Sequence, residues 1–187
     1  MARKLVMPRL GEFLARHPAL ELEVSCTDRR VDLVREGFDC VVRVGAVNDP
    51  SVVARTLGQF PQVTCASPSY LAERGVPQSL DDLAGHQLIH YVTVLGARPP
   101  GFEYLHQGEV RYIPMGGALS VNNAEAYESA AMGGLGSSRC PFMACWMTWR
   151  RGDWCRCWGT FRYHPWKSPC STLIVACRSG YGRSCSG

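Results

Sequence analysis

The residues from Leu20 to Gly45 constrain the fold more than any other part of this sequence. They begin with strict alternation of apolar and polar residues, LELEVS, a period of two that predicts a half-buried strand. Short polar residues at 25–28 are typical of a helix N-cap, and Gly37 is placed to end a short helix. The β-branched run from Phe38 to Val44 predicts a second strand. Together they predict a β-α-β unit with parallel strands and a right-handed crossover.

A ligand site is expected where the two strands of this unit end. Ligands of open α/β sheets bind beyond the carboxyl ends of the strands. We therefore predict a ligand-binding role for Ser25, Cys26, Thr27, Arg43 and Gly45. Hydroxyl groups beside free helix N–H groups can hold an anion, and an arginine can bind a carboxylate with two hydrogen bonds. The alternatives are helix capping for the hydroxyl groups, a thiol at Cys26 that senses oxidants or electrophiles or has only a structural role, and a solvated arginine or an intersubdomain salt bridge.

The elements alternate between helix and strand as far as Gly136, which is typical of an α/β fold. An amphipathic helix is predicted over 2–17. After the β-α-β unit we predict a turn at Asn48-Asp49-Pro50 and strands at 51–60 and 61–66. Two helices capped by Ser67 and Ser79 and a strand at 87–92 follow. The last predicted elements are a hairpin around Gln107-Gly108, a strand at 118–121 and a helix reaching Met132.

Asn122 and Asn123 stand between the last predicted strand and the last predicted helix. Either asparagine can cap the helix, because its side-chain oxygen accepts a hydrogen bond from the first free N–H groups. The same junction is a place where an anion can bind. We predict that both asparagines contribute to the ligand site, with simple capping as the alternative.

The composition changes abruptly after Gly136. Residues 137–187 carry a net charge of +7, seven of the ten cysteines and all five tryptophans, whereas residues 1–136 carry −3. This tail shows neither a helical nor a strand period. We interpret it as an out-of-frame reading of a GC-rich gene, a hypothesis that the coding DNA around codon 137 tests.

Three other functions are weakly supported by the residues. The cysteine intervals of the tail do not form the two pairs typical of a zinc site, and we predict no metal and no cofactor. Ser67 stands in Ala-Ser-Pro rather than in a nucleophile elbow, so we predict no enzyme. The basic, aromatic tail could bind nucleic acid, but its biased composition explains the same residues.

Five segments carry a resemblance to a known family. They are PRLGEFLARHPALELEV at 8–24, LVREGFDCVVRVG at 33–45, SVVARTLG at 51–58, CASPSYLAERGVPQSLDDLAGHQLI at 65–89 and VNNAEAYESAAMGGLG at 121–136. In this order they resemble the effector-binding domain of LysR-type transcriptional regulators. The resemblance implies two Rossmann-like α/β subdomains joined by crossing strands, an incomplete periplasmic-binding-protein-like fold of type 2.

The resemblance also implies a domain division and a role. Subdomain I is expected at 1–61, the hinge strand and subdomain II at 62–136, and an atypical tail at 137–187. A small, anionic effector would bind between the subdomains and control a DNA-bound dimer or tetramer. The helix over 2–17 would lie at an interface of that homo-oligomer.

The sequence departs from the family pattern at both ends. No DNA-binding helices precede the domain in these 187 residues, so DNA is expected only through an absent N-terminal domain. Neither a membrane span nor a signal peptide is evident, so we expect a cytoplasmic protein. A solute-binding protein of transport and a non-functional gene fragment are the alternative interpretations.

Overall fold

The computed structural model describes residues 5–45, 51–141, 156–158 and 170–178. The turn predicted at Asn48-Asp49-Pro50 and most of the tail lie outside these ranges. Within them, the helices are α1 (Leu10–Arg16), α2 (Pro68–Arg74) and α3 (Ala124–Met132), with 3-10 turns at Met7–Arg9 and Asp81–Gly85. The strands are β1 (Cys40–Val44), β2 (Val52–Ala66), β3 (His90–Tyr91), β4 (Phe102–His106), β5 (Glu109–Ile113), β6 (Ser120–Val121), β7 (Ser138–Pro141), β8 (Arg156–Trp158) and β9 (Cys170–Arg178).

The first lobe consists of residues 5–45 and 51–61 together with β9. In its sheet, β9 lies between β1 and the first two-thirds of β2. Strand β9 runs antiparallel to both of these neighbours. The centre of β9 is the apolar run Leu173-Ile174-Val175. The prediction that no regular element follows residue 136 was therefore wrong for β7, β8 and β9. The hypothesis of a shifted reading frame stays a prediction.

The predicted β-α-β unit does not form. Only its second strand is present, as β1, and that strand pairs antiparallel with β9. Residues 20–27 are exposed coil, and residues 33–37 form turns instead of a helix. The alternating residues Leu20, Leu22 and Val24 are each more than 40% exposed. A strand needs a hydrogen-bonded partner, and none of the described strands lies beside this segment.

Strand β2 carries the chain from one lobe to the other. The sequence predicted two strands, at 51–60 and 61–66, but the structure has one strand of 15 residues. Pro61 is the last residue opposite β9, and Gln62 is the first opposite β7. A proline lacks the N–H that a sheet ladder uses, so it fits best where the partner strand changes. Residues 62–66 of β2 and the antiparallel β7 are the crossing strands between the lobes.

The second lobe, residues 67–137, has the parallel α/β architecture that the sequence predicted. Strands β3 and β6 are parallel, and a parallel bridge joins Leu88 to Ser137. The Ser67 hydroxyl accepts a hydrogen bond from the Tyr70 N–H at the start of α2, as expected of an N-cap. Gly75, with φ of 80°, ends that helix. The predicted caps at Ser67 and Asn123 are confirmed. The cap predicted at Ser79 was wrong in position, because the 3-10 turn Asp81–Gly85 has Leu80 as its N-cap, although the Ser79 hydroxyl accepts a hydrogen bond from the Asp82 N–H.

The predicted hairpin is confirmed at β4 and β5. Gln107 and Gly108 both have positive φ, 52° and 86°, which is the conformation of a two-residue type I′ turn. This turn matches the right-handed twist of the strands that it joins. The hairpin places Phe102 in the core of the second lobe.

The hydrophobic core lies mainly in the second lobe. One cluster joins α2 to the hairpin, and its buried members are Ala66, Tyr70, Leu71, Leu83, Leu88, Phe102 and Met115. A second cluster packs α3 against the residues around β3 and β6, and its buried members are Ile89, Tyr127, Ala130 and Ala131. His86 and His90 are buried here. His86 Nδ1 lies 3.2 Å from the Tyr70 hydroxyl. This packed lobe carries the start of α3.

A candidate ligand site at the start of helix α3

The start of α3 lies at the carboxyl ends of two parallel strands. Strand β3 ends at Tyr91 and β6 ends at Val121, directly before the asparagine pair. The Asn123 side-chain oxygen accepts hydrogen bonds from the N–H groups of Glu125 and Ala126, at 2.9 and 3.1 Å. The cap therefore satisfies two of the N–H groups that the first turn of a helix leaves without a helical partner. The Ala124 N–H is not among them.

That remaining N–H group is taken by the first lobe. The Asp28 carboxylate accepts a hydrogen bond of 2.5 Å from the Ala124 N–H, across 96 positions of sequence. A carboxylate is well placed there, because the helix dipole and the free N–H groups both favour negative charge. The start of α3 thus holds a carboxylate, and that carboxylate belongs to the opposite lobe.

Tyr91 is the second group of the second lobe that contacts this carboxylate. Partial burial, followed by the negative charge and the hydrogen bond of Asp28, raises the pKa of Tyr91 to about 12. The phenol therefore stays protonated at neutral pH and can donate its hydrogen bond. Its ring also packs edge-on against Tyr127 of α3, with 5.5 Å between the centroids. The site offers one backbone N–H and one phenol O–H to an anionic oxygen.

The structure brings part of the predicted site together. Ser25, Cys26 and Thr27 immediately precede Asp28 in exposed coil, so this segment approaches Asn122 and Asn123 at the start of α3. Within the segment, the Thr27 hydroxyl accepts a hydrogen bond from the Arg29 N–H. The sequence predicted that these residues start a helix that follows them, but the following residues form turns, and the neighbouring Asp28 accepts a hydrogen bond from the distant α3.

Arg43 and Gly45 lie elsewhere on the first lobe. Arg43 pairs with Ile174 in the sheet, and partial burial, with a smaller effect of the Arg30 charge, lowers its pKa. The Gly45 N–H donates to the Thr172 carbonyl at the end of the same ladder. Among the described residues, no hydrogen bond or ion pair joins either of them to Asn122 or Asn123. Their binding role stays a prediction.

Two residues that carry the contact were not predicted as site residues. The sequence pattern predicts Asp28 only as one of the short polar residues before a helix, and it predicts Tyr91 only as part of a strand. The polar cluster at 25–28 points to Asp28, because a short carboxylate side chain in such a segment can accept a hydrogen bond from a backbone N–H group. Nothing in the sequence pattern distinguishes Tyr91 from a core tyrosine.

Arg139 of β7 is a third residue that the sequence did not single out. Its side chain is 11% exposed, and Nη1 donates to the Glu103 carbonyl and lies 3.7 Å from the Glu103 carboxylate. Its guanidinium carbon lies 5.9 Å from the centroid of the Phe102 ring. Burial lowers the pKa of Arg139, and its buried Nε and Nη2 atoms have no hydrogen-bond partner among the described residues. A desolvated cation therefore lies beside the hairpin, in a crossing strand.

The described part of the chain provides no metal centre and no membrane span. Across the four described ranges, no three histidine, cysteine, aspartate or glutamate side chains converge as metal ligands would. The helices of those same ranges are too short or too polar to cross a bilayer. The chemistry that the start of α3 supports is the reversible binding of an oxyanion.

Comparison with known proteins identifies relatives among transcriptional regulators. The HTH-type transcriptional regulator YhjC of Escherichia coli K12 is 46% identical over 144 residues, which cover 77% of this chain and 48% of that protein. The HTH-type transcriptional repressor PA14_22550 of Pseudomonas aeruginosa is 34% identical over 142 residues, covering 75% and 44%. The chain spans about half the length of the curated relatives that it matches.

Solved structures confirm the fold. The regulatory domain of CrgA from Neisseria meningitidis superposes with a TM-score of 0.77 at 23% identity, covering 96% of this chain and 85% of that one. The effector domain of AmpR of Pseudomonas aeruginosa gives 0.66 at 23% identity, covering 94% and 80%. The fold is thus the predicted one, two α/β lobes joined by crossing strands, of the type 2 periplasmic-binding-protein-like class. The model of the LysR substrate binding domain matches residues 1–181, and the chain belongs to that family of effector-binding domains of transcriptional regulators.

Proposed function

We propose that this domain senses a small organic anion, with the carboxylate of the effector bound at the start of α3. The observation that carries the proposal is the hydrogen bond from the Ala124 N–H to the Asp28 carboxylate. This contact supports the proposal, because a carboxylate of the first lobe already accepts a hydrogen bond from the N–H group at the start of α3. The effector would take the place of Asp28, and Asn122, Ser25 and Thr27 would supply further hydrogen bonds.

Displacement of Asp28 would couple binding to the arrangement of the lobes. Asp28 belongs to the first lobe, and its partners Ala124 and Tyr91 belong to the second. A free carboxylate that replaces Asp28 removes this link, so the two states differ in how the lobes are held together. A ligand shifts a conformational equilibrium only through such a difference in contacts between the states. The proposed sensor is neither an enzyme nor a metal protein.

Binding is tested by titrating the full chain with a panel of small mono- and dicarboxylates and their neutral amides, using calorimetry and thermal shift. The carboxylates are expected to raise the melting temperature, because a ligand that binds only the folded state stabilises it. The amides are expected to have no effect at the same concentrations. Equal stabilisation by acids and amides, or none by either, would overturn the proposal.

A charge variant locates the site. Asn123→Asp keeps an oxygen that caps α3 equally well but adds a negative charge beside the anion. We expect it to lower carboxylate affinity about tenfold, which corresponds to about 1.4 kcal/mol. Gln78→Glu makes the same amide-to-carboxylate change at an exposed position of the same lobe and should leave the affinity unchanged.

We also propose that the complete protein acts as a DNA-bound homo-oligomer whose contacts include α1. The similar proteins YhjC and PA14_22550 are HTH-type regulators, and α1 exposes the apolar side chains of Phe13 and Leu14. A large exposed apolar surface is typical of an interaction site. Light scattering should give at least a dimer for the chain and a smaller species for Phe13→Glu. A monomeric chain would contradict the proposed contact.

A further inference from the structure

Two reduced cysteines face each other across the crossing strands. The Sγ atom of Cys65 in β2 lies 3.8 Å from the Sγ atom of Cys140 in β7. The sheet register pairs Cys65 with Ser138 and Cys140 with Val63. The cysteines are therefore diagonal neighbours on one face of an antiparallel pair. This pair of strands is the covalent connection between the lobes.

The two thiols differ in access to solvent. Cys65 is fully buried, whereas Cys140 is partly exposed. A small oxidant would reach Cys140 first, and Cys65 would then be the nearby thiol that completes the reaction. Redox-sensing cysteines commonly consist of one accessible thiol beside a second, resolving thiol.

We propose that Cys65 and Cys140 form a reversible disulfide when the protein meets a hydroperoxide. In the first step the Cys140 sulfur attacks one oxygen of hydrogen peroxide. The S–O bond forms, the O–O bond breaks, and the leaving hydroxide takes the thiol proton as water. In the second step the Cys65 sulfur attacks the Cys140 sulfenic acid. The S–S bond forms, the S–O bond breaks, and a second water leaves with the Cys65 proton. The two sulfur atoms lose two electrons in total, and the peroxide gains them.

The bond would change the geometry of the connection between the lobes. A disulfide holds its sulfur atoms about 2.05 Å apart, so the two thiols must approach by about 1.8 Å. Because the cysteines are diagonal neighbours, that approach requires a shift between β2 and β7 or new side-chain rotamers. A bond made under such strain is easily reduced, which is typical of labile, regulatory disulfides. Oxidation would therefore change how the two crossing strands hold the lobes relative to each other.

The test oxidises the full chain with hydrogen peroxide at low protein concentration, blocks the remaining thiols with an alkylating reagent, and maps disulfide-linked peptides by mass spectrometry. We expect one cross-linked pair that contains Cys65 and Cys140, located by fragmentation and removed by dithiothreitol. Exposed Cys26 serves as an internal standard and is expected to be recovered alkylated or singly oxidised. Recovery of Cys65 as the alkylated thiol while Cys140 reaches the sulfonic acid would overturn the proposal.

A matched pair of variants identifies the partner of Cys65. Cys157 of β8 is opposite Cys65 in the backbone register on the other side of β2. The cross-link should persist in Cys157→Ser and disappear in Cys140→Ser. The reverse pattern would show that Cys157 is the partner and would overturn the assignment. Circular dichroism confirms that each variant folds, and Cys140→Ala replaces the serine variant if that one does not.

Discussion

The carboxylate of Asp28 and the backbone N–H of Ala124 form a hydrogen bond of 2.5 Å between the two lobes. Asp28 lies in an exposed segment of the first lobe, and Ala124 is the first residue of α3 in the second. The contact is the point at which a carboxylate effector and the protein would compete for the same donor. Its removal should therefore affect binding more than folding.

We predict that Asp28→Ala increases the affinity for small carboxylates. The variant frees the Ala124 N–H and removes a negative charge that repels the ligand, and a gain of about 1 kcal/mol, or roughly fivefold, is expected for an exposed charge-assisted hydrogen bond. Calorimetry on wild type and variant measures the change. Asp39→Ala removes the same charge from an exposed position of the same lobe and should leave the affinity unaltered. Weaker binding by Asp28→Ala would instead make Asp28 a ligand-holding group.

A methyl group at Gly117 is predicted to destabilise the second lobe strongly. A Cβ atom there would lie 1.8 Å from the Leu88 carbonyl oxygen and 3.0 Å from His90 Nε2. The clash involves backbone that cannot move independently, so Gly117→Ala should cost about 3 kcal/mol, the upper part of the range for overpacking. At the neighbouring Gly116, an added Cβ atom would meet none of the described atoms within 4 Å, so Gly116→Ala should change stability by less than about 1 kcal/mol. Urea denaturation measures the free energy of unfolding of the two variants. A similar loss of unfolding free energy in both would contradict the packing observed at Gly117.

Replacement of Arg139 by methionine is predicted to preserve or increase stability. The guanidinium is buried, burial lowers its pKa, and in the described part of the chain two of its nitrogen atoms have no hydrogen-bond partner. Replacing both ions of a buried pair with apolar side chains is often neutral or stabilising by about 1–4 kcal/mol, whereas removing one ion is costly when its partner stays buried. Glu103 can then be solvated, because its side chain is 31% exposed. Chemical denaturation of Arg139→Met should show an increase, whereas Arg111→Met at an exposed ion pair should change stability by less than about 0.5 kcal/mol. A clear loss in Arg139→Met would mean that the guanidinium holds the hairpin in place.

Stability is predicted to fall as the pH drops below the ordinary pKa of histidine. Burial lowers the pKa of His86 and of His90; near His86, the Asp82 charge opposes this effect and the Arg74 charge adds to it. Above about pH 6.5 both histidines are neutral in the folded and unfolded states and contribute no dependence. Below that pH the unfolded chain binds protons that the folded chain resists, and each histidine can remove up to about 1.4 kcal/mol per pH unit.

The pH prediction is measured by urea denaturation at pH 7, 6 and 5. His90→Gln should show a smaller loss of unfolding free energy between pH 7 and 5 than wild type, because one of the two buried histidines is gone. His106→Gln, at an exposed position of the hairpin, should keep the wild-type slope. An unchanged slope in His90→Gln would show that His90 is protonated as easily in the fold as in the unfolded chain.

Local elements of the second lobe were largely predictable from the sequence. The caps at Ser67 and Asn123 and the hairpin turn at Gln107-Gly108 each depend on residues within four positions of one another. Such a segment contains all the groups that form its local structure. In a cap, a side-chain oxygen accepts a hydrogen bond from a backbone N–H of the first helical turn, and in the hairpin turn a glycine adopts positive φ. Distant residues were not needed to place these elements.

The first lobe was predicted less well, because its strands depend on partners far along the chain. The alternation at 20–25 is a sound strand pattern, but no described strand pairs with it, and it remains coil. Strand β1 was predicted correctly, yet its neighbour is β9, more than 120 residues later, in a segment that the composition had argued against. A period of two shows that a segment can be a strand, but it contains no information about which partner the strand has.

The sequence by itself determined the family, the α/β class, and the helix start at Asn123 where an anion can bind. Only the tertiary structure decided that Asp28 reaches that helix start, that Tyr91 holds its proton beside it, and that Cys65 lies against Cys140. The physical reason is one of range. Capping and turn formation are settled by neighbours in sequence, whereas contacts between lobes and across crossing strands follow from the packing of the whole chain.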